Sequence, residues 1–328
     1  FHHIIMDGWC NDIVFGDFIR YYNALNNGES EEELKAQIMK EREAVGEYSE
    51  YISWLEQQDK EAGLRYWKNV LSGYDSTAEI QGLSTQQESA EESAQMETVF
   101  SHKMSQELIK LAAQNNVTIN TVAESIWGIL LQRYNYTDDV VFGKVVSGRN
   151  APIKGIEEMV GLFINTIPIR VRSKAGMKIT ELWAELQEQS IESSSYDYSS
   201  LAEVQNLTPQ GRDLIKTLFV FENYYVKERT DNKGLKLQLV SSREQTNYDI
   251  TATAYLEDGC IHWGILYDPR KYSHAEIKQL LKRIEIIATT MTKNPDGIVF
   301  EVEVASAEER KQILEEFNDT AAEYPRER

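Results

Sequence analysis

Two histidines, an aspartate and a glycine stand together at the start of the chain, in the run HHIIMDG over residues 2–8. The unperturbed pKa of a histidine imidazole lies near physiological pH, so His3 is a residue that can accept or donate a proton. Asp7 lies four residues further on, too far along an extended strand to reach His3, and we expect it to hold the loop through a partner elsewhere. Gly8 lets the backbone approach a ligand where a side chain would block it. These residues together provide the parts of an acyl-transfer site.

A helix is predicted directly after this motif, over residues 10–25. Val14, Phe18 and Leu25 recur at helical spacing. Either Asn11 or Asp12 is the expected N-cap. Such a helix would aim its positive end toward the motif.

The remaining pattern alternates strands and helices irregularly, which indicates mixed α/β layers. Residues 28–48 are rich in Glu and Lys and predict a solvated loop with a short helix. Other predicted helices cover residues 51–71, 105–115, 118–134 with Thr118 as the cap, 179–194 and 274–293. Predicted strands cover residues 97–101, 139–146, 166–171, 214–221, 237–241, 248–256 and 260–267. Pro168 predicts that its strand lies at an edge or carries a bulge.

Composition limits the classes of function. The net charge of −19 argues against nucleic acid and against anionic membrane surfaces as partners. No apolar run approaches the roughly 20 residues that a membrane-spanning helix needs. The two cysteines, Cys10 and Cys260, lie far apart, so we predict small buried side chains and neither a disulfide framework nor a zinc site. We expect a reducing, cytoplasmic location.

Further motifs follow the first in a fixed order. They are DVVFGKVVSGR over 139–149, MVGLFINTIPIRV over 159–171, YDYSSLAEVQ over 196–205, LFVFENY over 218–224 and YDIT over 248–251. With HHxxxDG, this series resembles the condensation domains of nonribosomal peptide synthetases, which are similar to chloramphenicol acetyltransferase. The segment over 317–328 resembles the linker that leads from such a domain into an adenylation domain.

The resemblance implies a fold of two chloramphenicol-acetyltransferase-like lobes in a V-shaped pseudodimer. Residues 1–81 would be the C-terminal part of the first lobe, 82–96 the link between lobes, 97–305 the second lobe and 306–328 the linker toward an adenylation domain. Because the catalytic motif stands at residue 2, we expect the first lobe to be truncated at its N-terminus. The family's earlier motifs, with an arginine that they supply, would then precede this sequence.

The resemblance also implies the reaction, which joins a donor acyl or peptidyl thioester to an acceptor aminoacyl thioester. Both would be carried on 4′-phosphopantetheine arms of upstream and downstream carrier domains, with no cofactor bound directly. His3 would either accept a proton from the attacking amine or only position that amine, and both roles stay open. Gly8 could present its N–H to the oxyanion of the intermediate.

Asp7 is expected to be structural at the active site and to pair with Arg149. His2 is grouped with His3 and Gly8 as catalytic, and we expect it to form hydrogen bonds within the loop. The residues expected to line a substrate tunnel are Trp9, Ser147 and Asn165, of which Asn165 could instead bind backbone. No metal is expected, because adjacent histidines point apart. No G-x-S-x-G elbow surrounds Ser147, so a serine hydrolase is rejected.

Three alternatives compete with condensation. An epimerisation domain would use the same fold, although Gly8-Trp9 replaces the serine–tryptophan pair typical there. The Gly8-Trp9-Cys10 run instead resembles members that join two L-residues. A coenzyme-A acyltransferase would have no use for the linker-like end of the chain. A non-catalytic carrier-docking or scaffold fragment belongs to a different class of function.

Overall fold

The structure is a computed structural model that describes residue 2 and residues 4–82, 92–222, 235 and 246–318. Within these residues the chain forms ten α-helices: α1 Trp9–Asn26, α2 Glu31–Arg42, α3 Tyr48–Glu56, α4 Lys60–Val70, α5 His102–Gln114, α6 Ile119–Tyr134, α7 Ile179–Ser193, α8 Leu201–Gln205, α9 His274–Lys293 and α10 Ala307–Lys311. No described helix is long and apolar enough to cross a membrane.

Six described strands form one mixed sheet in the order β1-β6-β5-β4-β2-β3. The strands are β1 Ala94–Val99, β2 Asp139–Val146, β3 Asn165–Arg172, β4 Thr217–Glu222, β5 Ile250–Glu257 and β6 Cys260–Tyr267. β1 and β6 are antiparallel, with Ala94 opposite Tyr267. β4 runs parallel to β5, with Thr217 opposite Ile250, and β2 runs parallel to β4. β3 lies at the end of this order of described strands, so of the two predicted alternatives, an edge or a bulge, the edge is confirmed among the described residues.

The chain divides into two compact units. The first unit consists of residues 1–77, 141–170 and 189–255, and the second of residues 78–140, 171–188 and 256–328. Fully buried side chains in the first unit include Trp67, Phe142, Phe163 and Phe219, and in the second unit Leu108, Trp127, Trp183 and Trp263. The predicted lobe boundaries stay a prediction, and most of the stretch over 82–96 lies outside the described residues.

Several predicted elements are confirmed where the local signals agree. β2 has the predicted bounds, and so does α9, whose N-cap Ser273 forms a capping box with Glu276. Thr118 caps α6 as expected, because its side chain accepts a hydrogen bond from the backbone N–H of Thr121. The strand predicted over 237–241 lies outside the described residues.

Two predictions near the N-terminus were wrong, and a third was confirmed. α1 begins at Trp9 with Gly8 as its N-cap, so Asn11 and Asp12 lie within its first turn rather than capping it. The single helix predicted over 51–71 is in fact two helices, α3 and α4. The side chain of Asp59 accepts a hydrogen bond from Ala62 N and thereby caps the N-terminus of the second helix, α4. The predicted short helix within 28–48 is α2, which has 12 residues.

Candidate active site

The HHxxxDG loop begins with an exposed His2 side chain. Its Nδ1 accepts a hydrogen bond from the backbone N–H of Ile4 at 3.0 Å, and its carbonyl accepts from Ile5 N at 3.1 Å. The prediction that His2 forms hydrogen bonds within the loop is therefore confirmed. His3 lies outside the described residues, so the catalytic roles of both histidines stay predictions.

Asp7 anchors the other end of the loop and is fully buried. Its Oδ1 accepts from Arg149 Nη2 at 3.3 Å, which confirms the predicted pair. Its Oδ2 accepts from the backbone N–H groups of Phe163, at 2.9 Å, and Ile164, at 3.3 Å. A buried carboxylate needs such partners, because its charge is otherwise costly to remove from water. The network thus fixes the base of the loop.

Arg149 has further partners that hold its guanidinium in place. Nη1 donates to the carbonyls of Ile156, at 2.5 Å, and Met159, at 2.9 Å. The guanidinium carbon lies 4.1 Å from the ring centre of Phe163 and 5.5 Å from that of Trp9, which are cation–π distances. The side chain is therefore part of the buried core of the first unit.

Gly148, directly before Arg149, adopts a left-handed backbone with φ of 65°. A Cβ atom built there would lie 1.8 Å from the carbonyl oxygen of Phe163. Glycine is thus required for two reasons, conformation and close packing. The glycine of the SGR run is therefore explained by geometry, because the turn at Gly148 brings Arg149 within reach of Asp7.

The N-cap of α1 directly follows Asp7. Gly8 is the N-cap with φ of −60°, and Asp7 O accepts from Cys10 N at 3.1 Å. The partly buried Trp9 donates from Nε1 to the carbonyl of Glu157 at 2.8 Å. The positive end of the helix dipole therefore lies at the HHxxxDG loop, as the sequence predicted.

The remaining predicted site residues have structural contacts. Asn165 binds backbone, because its Nδ2 donates to the carbonyls of Asp197 at 2.6 Å and Ser199 at 2.8 Å. Ser147 is exposed, and its Oγ accepts from Arg149 N at 3.4 Å. That Trp9, Ser147 and Asn165 line a tunnel stays a prediction. No group of three or more metal-ligating side chains occurs among the described residues.

With this geometry known, comparison with other proteins identifies the family. The sequence profile of the family described as Condensation domain matches residues 1–314, almost the whole chain. The chain belongs to the condensation domain family.

Bacitracin synthase 3 from Bacillus licheniformis is 39% identical over 332 residues, which cover 100% of this chain and 5% of that protein. Tyrocidine synthase 3 from Brevibacillus parabrevis is 38% identical over 334 residues, again 100% of this chain and 5% of that protein. This condensation domain thus spans about a twentieth of the length of both relatives.

Solved structures share its fold at low identity. A four-domain nonribosomal peptide synthetase bound to AMP and glycine matches with a TM-score of 0.73 at 17% identity, covering 93% of this chain and 24% of that one. The first condensation domain of the calcium-dependent antibiotic synthetase, in complex with a substrate analogue, matches with a TM-score of 0.72 at 16% identity, covering 93% and 66%. The X-domain in its complex with OxyB from teicoplanin biosynthesis gives 0.68 at 16%, covering 93% and 69%. These similarities show the fold alone, and they confirm the predicted fold class.

The structure of this condensation domain also reveals residues that sequence reasoning missed. Cys10 was expected to be only a small buried side chain. It is fully buried, but its Sγ also contacts Asp7 Oδ1 at 3.4 Å, the carbonyl oxygen of Gly161 at 3.2 Å and Arg149 Nη2 at 3.4 Å. Cys260 is only partly buried. The predicted burial is thus confirmed for Cys10 and was wrong for Cys260, and the polar contacts of Cys10 were missed because no spacing rule reports which groups surround a thiol.

Tyr48 supports the loop that binds Asp7. Its hydroxyl donates to the carbonyl of Leu162 at 2.6 Å, and burial raises its pKa. A Cβ atom on Gly161 would lie 2.2 Å from the Tyr48 ring, so only glycine permits this contact. The nearby Tyr51 is buried against Phe163, with ring centres 4.6 Å apart, and burial raises its pKa to about 12. In the sequence, the two tyrosines of the run YSEY over residues 48–51 are the signal that could have indicated this contact.

Proposed function

We propose that this condensation domain forms a peptide bond between a donor acyl or peptidyl thioester and an acceptor aminoacyl thioester. The observation that carries the proposal is the buried network around Asp7, which fixes an HHxxxDG loop in a member of this family. The substrates would arrive on 4′-phosphopantetheine arms of an upstream and a downstream carrier domain. An adenylation domain would follow in the same polypeptide.

The relatives named for bacitracin and tyrocidine synthesis support a role in making a peptide antibiotic. The cytoplasmic location stays a prediction.

The reaction needs few groups from the protein. The α-amine of the acceptor attacks the donor carbonyl, a C–N bond forms, and the C–S bond of the thioester then breaks to release a thiolate. The proton lost from nitrogen passes to His3 or, if His3 only positions the amine, to another base such as the leaving thiolate. We assign to Gly8 N–H and the positive end of α1 the stabilisation of the oxyanion.

Replacement of His3 tests this proposal. Carrier proteins loaded with donor and acceptor are mixed with the chain, and dipeptidyl carrier is measured by mass spectrometry. His3→Ala should lower the rate by about 10²–10⁴ if His3 accepts the proton, and by less if it only positions the amine. His274→Ala is the control, because His274 is an exposed histidine at the start of α9. Unchanged dipeptide formation by His3→Ala would exclude a catalytic role for His3.

A docking module is the second candidate function. The observation in its favour is that the X-domain from teicoplanin biosynthesis, which shares the fold, is found in complex with OxyB. A chain that binds loaded carriers but forms no dipeptide would support this alternative. Exchange of the α-proton of a carrier-bound residue with solvent deuterium would instead indicate epimerisation.

A further inference from the structure

A second buried carboxylate, Asp197, lies in the first unit in the segment between α7 and α8. The residue is 6% exposed. Its Oδ2 accepts a hydrogen bond from Asn150 Nδ2 at 2.9 Å, and its backbone carbonyl accepts from Asn165 Nδ2 at 2.6 Å. Asp197 thus joins two segments that are distant from it in sequence.

The same two segments also bind Asp7. Arg149, which donates to Asp7, directly precedes Asn150, which donates to Asp197. Ile164, whose N–H donates to Asp7, directly precedes Asn165. A displacement of the Asp197 segment would therefore move both groups of hydrogen-bond donors to Asp7, because each is one residue away.

The negative charge of the buried Asp197 carboxylate lowers the stability of the folded chain. Burial raises the pKa of its carboxyl to about 6, while the hydrogen bonds from Asn150 and from its own backbone N–H act in the opposite direction. Asparagine could accept the same hydrogen bond from Asn150 without burying a charge. A carboxylate that destabilises the fold is typical of a functional position, and a charged acceptor forms the stronger hydrogen bond.

We propose that Asp197 is a positioning residue for the condensation reaction, which holds Arg149 and the 163–165 segment on Asp7 and thereby fixes the HHxxxDG loop. The inference rests on the proposed function. Asp197 acts through Asn150 and Asn165 and has no assigned contact with substrate.

The first test compares three variants in the dipeptide assay. Asp197→Ala should lower kcat about tenfold or more with little change in KM for the loaded carriers, because loop geometry changes and the binding surface does not. Asp197→Asn keeps the hydrogen bond and should lower kcat less. Asp213→Asn is the matched control, since Asp213 is exposed, lies in the same unit and pairs with Lys216 at 2.6 Å. Wild-type kcat in Asp197→Ala would overturn the proposal.

The pH profile provides a readout that a merely structural role would not change. Below pH about 6 the protonated wild-type carboxyl resembles asparagine, so the ratio of wild-type to Asp197→Asn kcat should fall toward one. Burial raises the pKa values of the neighbouring Tyr51 and Tyr198 above the ordinary value, so these two phenols do not titrate in this range. A ratio that is constant from pH 5 to pH 8 would contradict the proposal.

A measurement without catalysis separates this inference from the proposed function. The imidazole resonances of His2 report the conformation of the loop in NMR spectra of the labelled chain. Asp197→Ala should shift or broaden them, whereas Asp213→Asn should not. If the wild-type chain formed no dipeptide, the proposed function would fail, but these spectra would still test the positioning role. Unchanged His2 resonances in a folded Asp197→Ala chain would overturn it.

Discussion

Arg149 Nη2 donates to Asp7 Oδ1 at 3.3 Å, and the two side chains are 4% and 0% exposed. A buried ion pair gains little by Coulomb attraction alone, because removing both charges from water is expensive. Here each partner also has neutral hydrogen-bond partners, two backbone N–H groups on Asp7 and two carbonyls on Arg149. The pair therefore specifies one arrangement of the loop.

The costs of removing the two members of this pair should not add. Asp7→Ala leaves the Arg149 guanidinium buried without its anion, and we expect the free energy of unfolding to fall by about 3–5 kcal/mol. The double variant Asp7→Ala/Arg149→Met should cost less than the sum of its two single changes, because neither charge is then left unpaired. Urea denaturation measures each value.

The control for this comparison is Asp213→Ala, which removes an exposed carboxylate paired with Lys216. Exposed pairs contribute about 0–1 kcal/mol. Single changes at Asp7 and Arg149 that simply add in the double variant would show that the pair is not coupled.

The thiol of Cys10 should matter through its hydrogen bonds. Cys10→Val removes the Sγ–H donor near Asp7 Oδ1 and the carbonyl oxygen of Gly161. We expect a loss of about 1–3 kcal/mol in the free energy of unfolding, since these buried acceptors then lose a partner. Cys10→Ser keeps a donor and should lose less. Thermal and urea denaturation measure both, with Cys260→Ser as the control at a partly buried thiol. Equal losses in the serine and valine variants would argue for packing alone.

The raised pKa of Asp197 predicts how stability depends on pH. Its carboxyl titrates at about 6 in the folded chain, against 3.8 ordinarily, so the folded state binds more protons between these values. The contribution of this group to stability is therefore complete below pH about 4, falls as the pH rises to about 6 and is constant above. The loss is at most about 3 kcal/mol, from 1.36 kcal/mol per pKa unit.

Asp197→Asn removes this dependence because asparagine does not titrate. We expect the variant to unfold at higher urea concentration than the wild type at pH 7, and the difference to disappear near pH 4. Asp213→Asn is the control, because it makes the same change at a largely exposed carboxylate of the same unit. A wild type that unfolds at higher urea concentration than Asp197→Asn at pH 7 would contradict this prediction.

The sequence predicted elements well where several local signals coincided. The bounds of α9 follow from a capping box at Ser273 and Glu276 together with a long apolar stripe. The Asp7–Arg149 contact followed from the family motifs rather than from spacing, because 142 residues separate the partners. Local patterns contain no information about pairs so distant in sequence.

Other features depended on tertiary contacts or on single capping bonds. The break between α3 and α4 rests on the Asp59 cap, which interrupts an otherwise continuous apolar pattern. α1 begins at Trp9, two residues after Asp7, where the buried network holds the chain, so the better capping residues Asn11 and Asp12 are not used. Asp197 was not predicted as a site residue, because its raised pKa results from burial and the residue type alone does not indicate burial.

Gly148 provides a matched test of how the loop is assembled. Gly148→Ala adds a Cβ at φ of 65° that would meet the Phe163 carbonyl at 1.8 Å, and Phe163 N donates to Asp7. Gly73→Ala is the control, because Gly73 has φ of 73° in the same unit but nothing lies within 4 Å of an added Cβ. A left-handed backbone alone should cost Gly73→Ala about 1–2 kcal/mol without changing the rate of dipeptide formation. Gly148→Ala should be destabilised by more and should also lose dipeptide formation, because relieving the clash moves Phe163 or Arg149 away from Asp7. Urea denaturation and the dipeptide assay measure the two effects separately. Equal behaviour of the two variants would mean that the packing of Gly148 against Phe163 does not position the HHxxxDG loop.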